Sequence, residues 1–266
     1  MLKNLAKKLI TYYLKRKWPD GAEWVDQIQP IFLNEAREFL SKQGLLRKDQ
    51  SMEDLAQMWP SYVANLFNPS VSDEFYLAWT EDIGASNIAA NIFDQFSRPY
   101  VASGLIRTFG KHYFTGTLLD YGCGTAAISL SWQRGIANHS RLLLSDVENL
   151  SREFLRYYIN KHLNYKIKLV ALDLEKIQSH TIDAILCIHV LEHLPNPSDV
   201  FRLIDRKLKN RGILILEAPW GGHPEHLREA PIEWKENGGQ KLLKMNYKPI
   251  MKMNRIFSVS GVYAKK

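Results

Sequence analysis

The chain has 266 residues, of which 45% are hydrophobic, and a formal net charge of +7. This length and composition are sufficient for one substantial core with an accessory element. The two cysteines exclude a disulfide framework, and no apolar run approaches the ~20 residues that a membrane-spanning helix requires. We therefore predict a cytoplasmic protein.

Residues 1–17 predict the first helix. Leucine, isoleucine and tyrosine residues recur on one side of it, and the segment has six lysines and arginines but no acidic residue. Such a helix can lie on an anionic membrane surface, as a peripheral contact, or pack its apolar side on the protein with its lysines solvated. The second arrangement is our expectation.

Residues 18–100 are acidic and rich in aromatic side chains, with five basic and thirteen acidic residues. Pro19 predicts the start of one helix, Gly44 its end, and Ser51-x-x-Asp54 the start of the next. We predict a helical cap over residues 1–95, on the substrate side. Its acidity argues against nucleic acid as a partner, because phosphate neutralisation dominates that affinity.

Most aromatic side chains of this segment should form the cap's own core. Phe96, Arg98 and Tyr100 adjoin the second predicted domain, residues 96–266, and are the better candidates for a wall of the substrate pocket.

The second domain begins with a glycine-containing loop after a buried strand. Leu118 and Leu119 predict that strand, and Gly122 and Gly124 allow a tight turn that approaches a ligand closely. The spacing also matches a dinucleotide fingerprint, so a nicotinamide dehydrogenase is an alternative. Asp120 favours a different ligand, because a carboxylate before this turn suits a cationic group better than a pyrophosphate.

Three further strands follow, each with polar residues at its end. Residues 141–146 end at Asp146, 26 residues after Asp120, which is the spacing of one strand-helix-strand unit. A carboxylate at that position can accept hydrogen bonds from both hydroxyls of a ribose. Residues 167–174 predict a third strand that ends near Asp173, and residues 182–188 a fourth.

The remaining elements complete a sheet. An amphipathic helix precedes a fifth strand at 212–217, and residues 241–245 and 257–263 predict the last two strands. Alternation in the final segment is compatible with an antiparallel strand.

These motifs, in this order, resemble the class I S-adenosylmethionine-dependent methyltransferases, in the branch whose fourth strand runs into a Leu-Glu-His segment. The resemblance covers residues 100–266. It implies an α/β fold with a Rossmann-like seven-stranded, mostly parallel sheet and helices on both faces. It also implies S-adenosyl-L-methionine as cofactor and S-adenosyl-L-homocysteine as product.

The resemblance further implies roles for individual residues. Asp120 and the two loop glycines would hold the methionine end of the cofactor, Asp146 the ribose, and Asp173 with the Leu174 amide the adenine. The full set of expected cofactor-binding residues is Asp120, Tyr121, Gly122, Cys123, Gly124, Asp146, Val147, Asp173, Leu174 and Ile188.

Acceptor chemistry should involve the polar residues after the fourth and fifth strands. His189, Glu192, His193 and His226 are the candidate catalytic residues, with a histidine as general base for an acceptor proton. Local packing contacts alone are an alternative role. The candidate substrate-binding residues are Phe96, Arg98, Tyr100, Trp220 and His223.

A divalent metal is a further alternative, which we do not favour. Its ligands would be His189, Glu192, His193 and either His223 or His226. The segment is similar to the Glu-x-x-Glu-His metal site of ubiquinone-biosynthesis and small-RNA 2′-O-methyltransferases, but has histidine first, which favours Zn²⁺, Mn²⁺ or Fe²⁺ over Mg²⁺.

The sequence thus predicts transfer of a methyl group to a small or amphiphilic biosynthetic metabolite, at oxygen. The alternatives are an RNA methyltransferase and a catalytically silent, cofactor-binding partner subunit. The sequence does not indicate the oligomeric state.

Overall fold

The computed structural model describes residues 16–66, 81–109, 115–135, 140–162, 166–170, 173–221, 226–252 and 258–266. The predicted first helix, residues 1–17, lies almost wholly outside these ranges. No helix within them is long and apolar enough to cross a membrane.

Among the described residues, four helices precede the sheet. Asp54 accepts hydrogen bonds from the Ser51 backbone and hydroxyl, and Ser51 Oγ accepts from Asp54 N at 3.0 Å, so the predicted capping box is confirmed. These helices are α1 (Pro19–Lys42), α2 (Met52–Leu66), α3 (Glu81–Phe96) and α4 (Pro99–Phe109).

Strands and helices then alternate as far as β3, a short 3₁₀ turn lies between β3 and β4, and one α-helix separates β4 from β5. Among the described residues, two short helices separate β5 from the last pair of strands. The elements are β1 (Thr117–Tyr121), α5 (Ala127–Gly135), β2 (Arg141–Ser145), α6 (Leu150–His162), β3 (Ile167–Val170), β4 (Ile182–Ile188), α7 (Pro197–Lys207), β5 (Leu208–Pro219), α8 (Ala230–Glu236), α9 (Gly239–Asn246), β6 (Tyr247–Lys252) and β7 (Ser258–Lys265).

The seven strands form one sheet in the order β3-β2-β1-β4-β5-β7-β6. The first five are parallel, and β7 lies antiparallel between β5 and β6. The expected Rossmann-like, mostly parallel α/β fold is therefore confirmed. Because β1 and β4 are adjacent, the polar residues that follow them meet at one edge of the sheet.

One predicted strand is wrong. Residues 241–245 belong to helix α9, and the strand is the next segment, β6. Gly238 adopts a left-handed φ of +88°, which ends α8 and allows a second helix to begin directly. Leu243 is buried on one side of that short helix, so its apolar residues follow helical rather than strand spacing.

Helices cover both faces of the sheet. The cap helices α1–α3 share a hydrophobic cluster with one face, where the Phe32 ring lies 5.6 Å from Phe154 on α6 and 6.1 Å from Phe96. Phe201 and Trp234 pack on the other face, with ring centroids 4.9 Å apart. The division at residue 95 stays a prediction, because the core is continuous across it.

Candidate functional site

A pocket opens at the carboxyl ends of β1 and β4, beneath the C-terminal half of α3. Its volume is about 500 Å³, including the open mouth. Of the predicted site residues, six line it, and Asn91, Asp94 and Gln95 of α3 join them without having been predicted. The six are Arg98, Asp120, Gly122, Cys123, Ile188 and His189.

Asp120 places a buried carboxyl group at the floor of this pocket. It accepts a hydrogen bond from Ser129 Oγ at 2.5 Å. Burial, with a smaller contribution from the charge of Asp146, raises the pKa of Asp120 to about 7. A cationic ligand group beside Asp120 would offset the cost of ionising this buried carboxyl. This agrees with the cationic ligand that the sequence predicts at this position.

Arg98 places a buried guanidinium in the same pocket, with 3% of its surface exposed. Its Nη2 donates to the carboxylate of Asp94 and lies 3.1 Å from His189 Nδ1. The donors on Nε and Nη1 have no partner among the described residues. The pocket therefore presents both a buried acid and a buried cation.

The two loop glycines are required by neighbouring side chains. Gly122 and Gly124 have φ values of +67° and +53°. A Cβ on Gly122 would lie 2.3 Å from Val190, and one on Gly124 would lie 2.7 Å from the amide of Asn91. Because these two residues have no side chain, Val190 and α3 can pack directly against the loop, and room is left for a ligand.

Backbone amides of this loop already have protein acceptors. Gly124 N donates to the Asp146 carboxylate, Thr125 N to Asn91 Oδ1 at 3.0 Å, and Ile128 N to Gln95 Oε1 at 3.2 Å. A dinucleotide pyrophosphate would need such amides at the start of the helix. Their occupation argues against the dehydrogenase alternative.

The ends of β2 and β3 are tied together by Arg152, which the sequence interpretation did not single out. Its Nη1 donates to the carbonyl oxygens of Asp146 at 2.8 Å and Val170 at 2.9 Å. The Asp146 carboxylate also accepts from Val147 N at 2.7 Å, and burial raises its pKa. This carboxylate is held rigidly beside the loop.

Asp173 lies further out. Its side chain is 49% exposed and accepts from Glu175 N at 3.0 Å, which caps the short 3₁₀ turn Leu174–Lys176. Leu174 is buried. Neither residue lines the pocket, so their adenine-binding role stays a prediction.

His189 has a polar group near each ring nitrogen, and its backbone is in the left-handed region with a φ of +56°. Arg98 can only donate, so Nδ1 accepts, and the proton of a neutral ring is on Nε2, 3.4 Å from Glu217 Oε1. Burial and the Arg98 charge lower the pKa of His189 to about 3. The ring is neutral at physiological pH and is poorly placed to accept a proton.

Glu217 was missed by the sequence interpretation, although it lies near the end of the buried strand β5, at the same edge of the sheet as Asp120. It is fully buried, and the Tyr100 hydroxyl lies 2.7 and 2.8 Å from its two carboxylate oxygens. Tyr100 is therefore a buried support of the His189 site. Phe96 packs in the core, and neither aromatic residue lines the pocket.

A second polar group lies beside His189. Potential ligand atoms of Glu192, His193 and His226 all lie within 4.8 Å of one another. Nε2 of His193 and Nε2 of His226 lie 3.8 and 4.0 Å from Glu192 Oε1. The Glu192 side chain is fully buried, and His189 Nδ1 is 3.6 Å from it.

The orientation of His226 is set by the backbone. Its Nδ1 lies 2.9 Å from the carbonyl oxygen of Gly221, so Nδ1–H donates and Nε2, 4.0 Å from Glu192 Oε1, is the unprotonated nitrogen of a neutral ring. An N/O set of this kind can hold a proton or a divalent ion. His223 lies outside the described residues, and half-buried Trp220 packs 5.9 Å from Trp234.

Residues 119–216 match the family described as "Methyltransferase domain". The matched segment contains the glycine loop, β2 to β4, the His189 region and β5 up to Leu216. This segment of the chain is therefore similar to a methyltransferase domain. The matched segment holds Asp120, His189 and Glu192, whereas Arg98 and α3 lie before it.

Relatives of the methyltransferase domain match only part of their length. A ubiquinone biosynthesis O-methyltransferase from Xanthomonas oryzae pv. oryzae (strain PXO99A) is 30% identical over 99 residues, which are 37% of this chain and 41% of that protein. Proteins of the same name from two further strains match equally. The match thus spans about two fifths of these relatives.

Solved structures share the fold. The CurJ carbon methyltransferase superposes over 87% of this chain and 70% of its own, with a TM-score of 0.50 and 12% identity. An S-adenosylmethionine-dependent methyltransferase from Aquifex aeolicus covers 74% of this chain and 98% of its own, with a TM-score of 0.46 and 16% identity.

Proposed function

We propose that this protein transfers a methyl group from S-adenosylmethionine to an oxygen of a small or amphiphilic metabolite. The observation that carries the proposal is that a buried carboxyl, Asp120, and a buried guanidinium, Arg98, line the same pocket beside the glycine loop. The amino-acid end of S-adenosylmethionine carries an ammonium and a carboxylate, and so matches both charges. When bound, the cofactor supplies an activated methyl group on a sulfonium.

The cofactor-side residues have separate tasks in this proposal. Asp120 pairs with the ammonium, and the Nε and Nη1 donors of Arg98 pair with the carboxylate. Asp146 has acceptor capacity beyond its two backbone donors and takes the ribose hydroxyls. Together they fix the methyl carbon against the acceptor, and such positioning supplies much of the acceleration of a displacement reaction.

The acceptor side is assigned to Glu192, His193 and His226. Nδ1 of His226 donates to the carbonyl oxygen of Gly221, so Nε2 is the nitrogen that is unprotonated in the neutral ring. It can therefore take the proton from an acceptor hydroxyl, and the Glu192 charge 4.0 Å away stabilises the resulting imidazolium. Oxygen acceptors are supported by the curated relatives, which are named ubiquinone biosynthesis O-methyltransferases.

The same three residues would be the ligands if the protein uses a divalent ion, which would polarise the acceptor oxygen as a Lewis acid. The buried carboxylate and the backbone-oriented His226 fit such an ion. Metal analysis of protein purified without a histidine tag separates the two roles. A stoichiometric ion assigns the group to metal binding, and none assigns His226 to proton transfer.

Labelled S-adenosylmethionine tests the function. We expect transfer of the methyl label to a catechol-type acceptor and not to an amine on the same ring skeleton. His226→Gln should lower kcat by about 10²-fold and leave the cofactor Kd within about twofold. Transfer to RNA in place of the catechol-type acceptor would support an RNA methyltransferase instead. Cofactor binding without transfer to any acceptor would support a catalytically silent partner subunit.

A further inference from the structure

Two side-chain amides of α3 hold the glycine loop, residues 122–128. Asn91 Oδ1 accepts from Thr125 N at 3.0 Å and from Thr125 Oγ1 at 2.8 Å. Gln95 Nε2 donates to the carbonyl oxygen of Cys123 at 3.0 Å, and Gln95 Oε1 accepts from Ile128 N at 3.2 Å. The two amides also bond to each other at 2.8 Å.

The backbone that they hold does not favour its conformation by itself. Gly122, Gly124 and Ala126 all have positive φ values, and Ala126 at +52° is not a glycine. A left-handed alanine is strained, because its Cβ crowds the following carbonyl oxygen, so surrounding contacts must fix the loop. The acceptor on Gln95 also satisfies Ile128 N, one of the amides that the start of α5 leaves without an intrahelical partner.

The Asn91 and Gln95 amides, which we call the clamp, face one part of the pocket. Asn91 and Gln95 line it together with Asp120 and Arg98, whereas Asp146 and Asp173 are outside the lining. The held segment is therefore next to the groups that we assign to the amino-acid end of the cofactor. It also contacts Asp146 through Gly124 N, but Asp146 is held independently, at its carboxylate by Val147 N and at its carbonyl oxygen by Arg152. Loosening the loop should therefore disturb the amino-acid end more than the ribose carboxylate.

We propose that Asn91 and Gln95 are positioning residues that make the cap helix α3 part of the cofactor site. By fixing the glycine loop, they set the affinity for the amino-acid portion of S-adenosylmethionine and leave the affinity for the adenosine portion nearly unchanged. This inference rests on the proposed function, because it takes S-adenosylmethionine as the ligand.

Two ligands that differ only in the amino-acid portion test the proposal. S-adenosylhomocysteine contains it, and 5′-methylthioadenosine lacks it. In Asn91→Leu and Gln95→Met we expect S-adenosylhomocysteine to bind at least about tenfold more weakly, with methylthioadenosine changed by less than about threefold. The matched control is Asn87→Leu, one turn earlier on α3, whose amide contacts Ser151 at 3.3 Å and not the loop.

A second measurement needs no ligand. Hydrogen exchange of the Ile128 amide in Gln95→Met, and of the Thr125 amide in Asn91→Leu, should be at least about tenfold faster than in the wild type. Unchanged exchange, or an equal loss of both ligands, would overturn the proposal. A wild-type protein that binds neither ligand would overturn the proposed function, while the exchange rates still report separately on the clamp.

Discussion

Asp120 couples the pocket to pH. Its pKa in the ligand-free protein is about 7, above the ordinary value of 3.8, because the carboxyl is buried. Below pH 3.8 the carboxyl is protonated in both the folded and the unfolded protein, so its burial is fully tolerated. Between pH 3.8 and about 7 it ionises in the unfolded protein first, so the free energy of unfolding falls as pH rises. The ligand-free protein therefore loses stability across that window, and a bound cation restores it by pairing with the ionised carboxylate.

Cofactor binding should follow the same titration. We expect the affinity for S-adenosylmethionine to fall about tenfold from pH 8 to pH 6, because the carboxyl must release its proton before it pairs with the ammonium. Asp120→Asn should bind more weakly at every pH and lose this dependence. Calorimetry in buffers of different ionisation enthalpy gives the proton count, and pH-independent binding by the wild type would refute this role.

At the scale of elements, the glycine loop depends on contact with α3. Gly124→Ala places a Cβ 2.7 Å from the Asn91 amide, in addition to the strain of a φ of +53°. We expect a loss of about 1–3 kcal/mol in unfolding free energy and at least about tenfold weaker cofactor binding.

Gly44→Ala is the matched control for that variant. Gly44 also has a positive φ, +74°, but a Cβ there would meet nothing within 4 Å. Gly44→Ala should therefore introduce backbone strain without a steric contact, and it should leave cofactor binding unchanged. Equal effects of the two substitutions on binding would show that the contact with Asn91 does not matter.

Predictability differed between elements for physical reasons. Buried parallel strands such as β2 and β4 are short apolar runs, and polar residues follow them at the edge of the sheet where the pocket lies. The sequence therefore predicts both the strands and the polar residues of the site. Helix α9 was mistaken for a strand because a short, half-buried helix next to a turn has too few residues to establish a period. Glu217 carried the same signal as Asp120 and could have been found.

The clamp of Asn91 and Gln95 could not have been found in this way. Its partners lie 28 to 34 residues away in the chain, and an amide on a helix has no distinctive pattern. Likewise, the tautomer of His189 follows from Arg98, 91 residues earlier. Such roles arise from packing between elements, which local sequence periods do not encode.

At the scale of the whole molecule, the cap and the sheet share one core. Phe32 is 2% exposed and contacts rings on α3 and α6. Phe32→Ala should lower the unfolding free energy by about 3–5 kcal/mol with a single unfolding transition. Ile31→Ala, at a position 51% exposed, is the control and should have little effect. Two separate transitions would show that the cap unfolds independently.

The central claim is that the pocket beside the glycine loop binds S-adenosylmethionine. Calorimetric titration of S-adenosylmethionine and, separately, of NADH into the wild type and Asp146→Ala tests it most directly. We predict binding of S-adenosylmethionine alone, weakened at least tenfold in the variant, or about 1.4 kcal/mol. Binding of NADH instead, or no binding of S-adenosylmethionine to folded protein, would contradict the account.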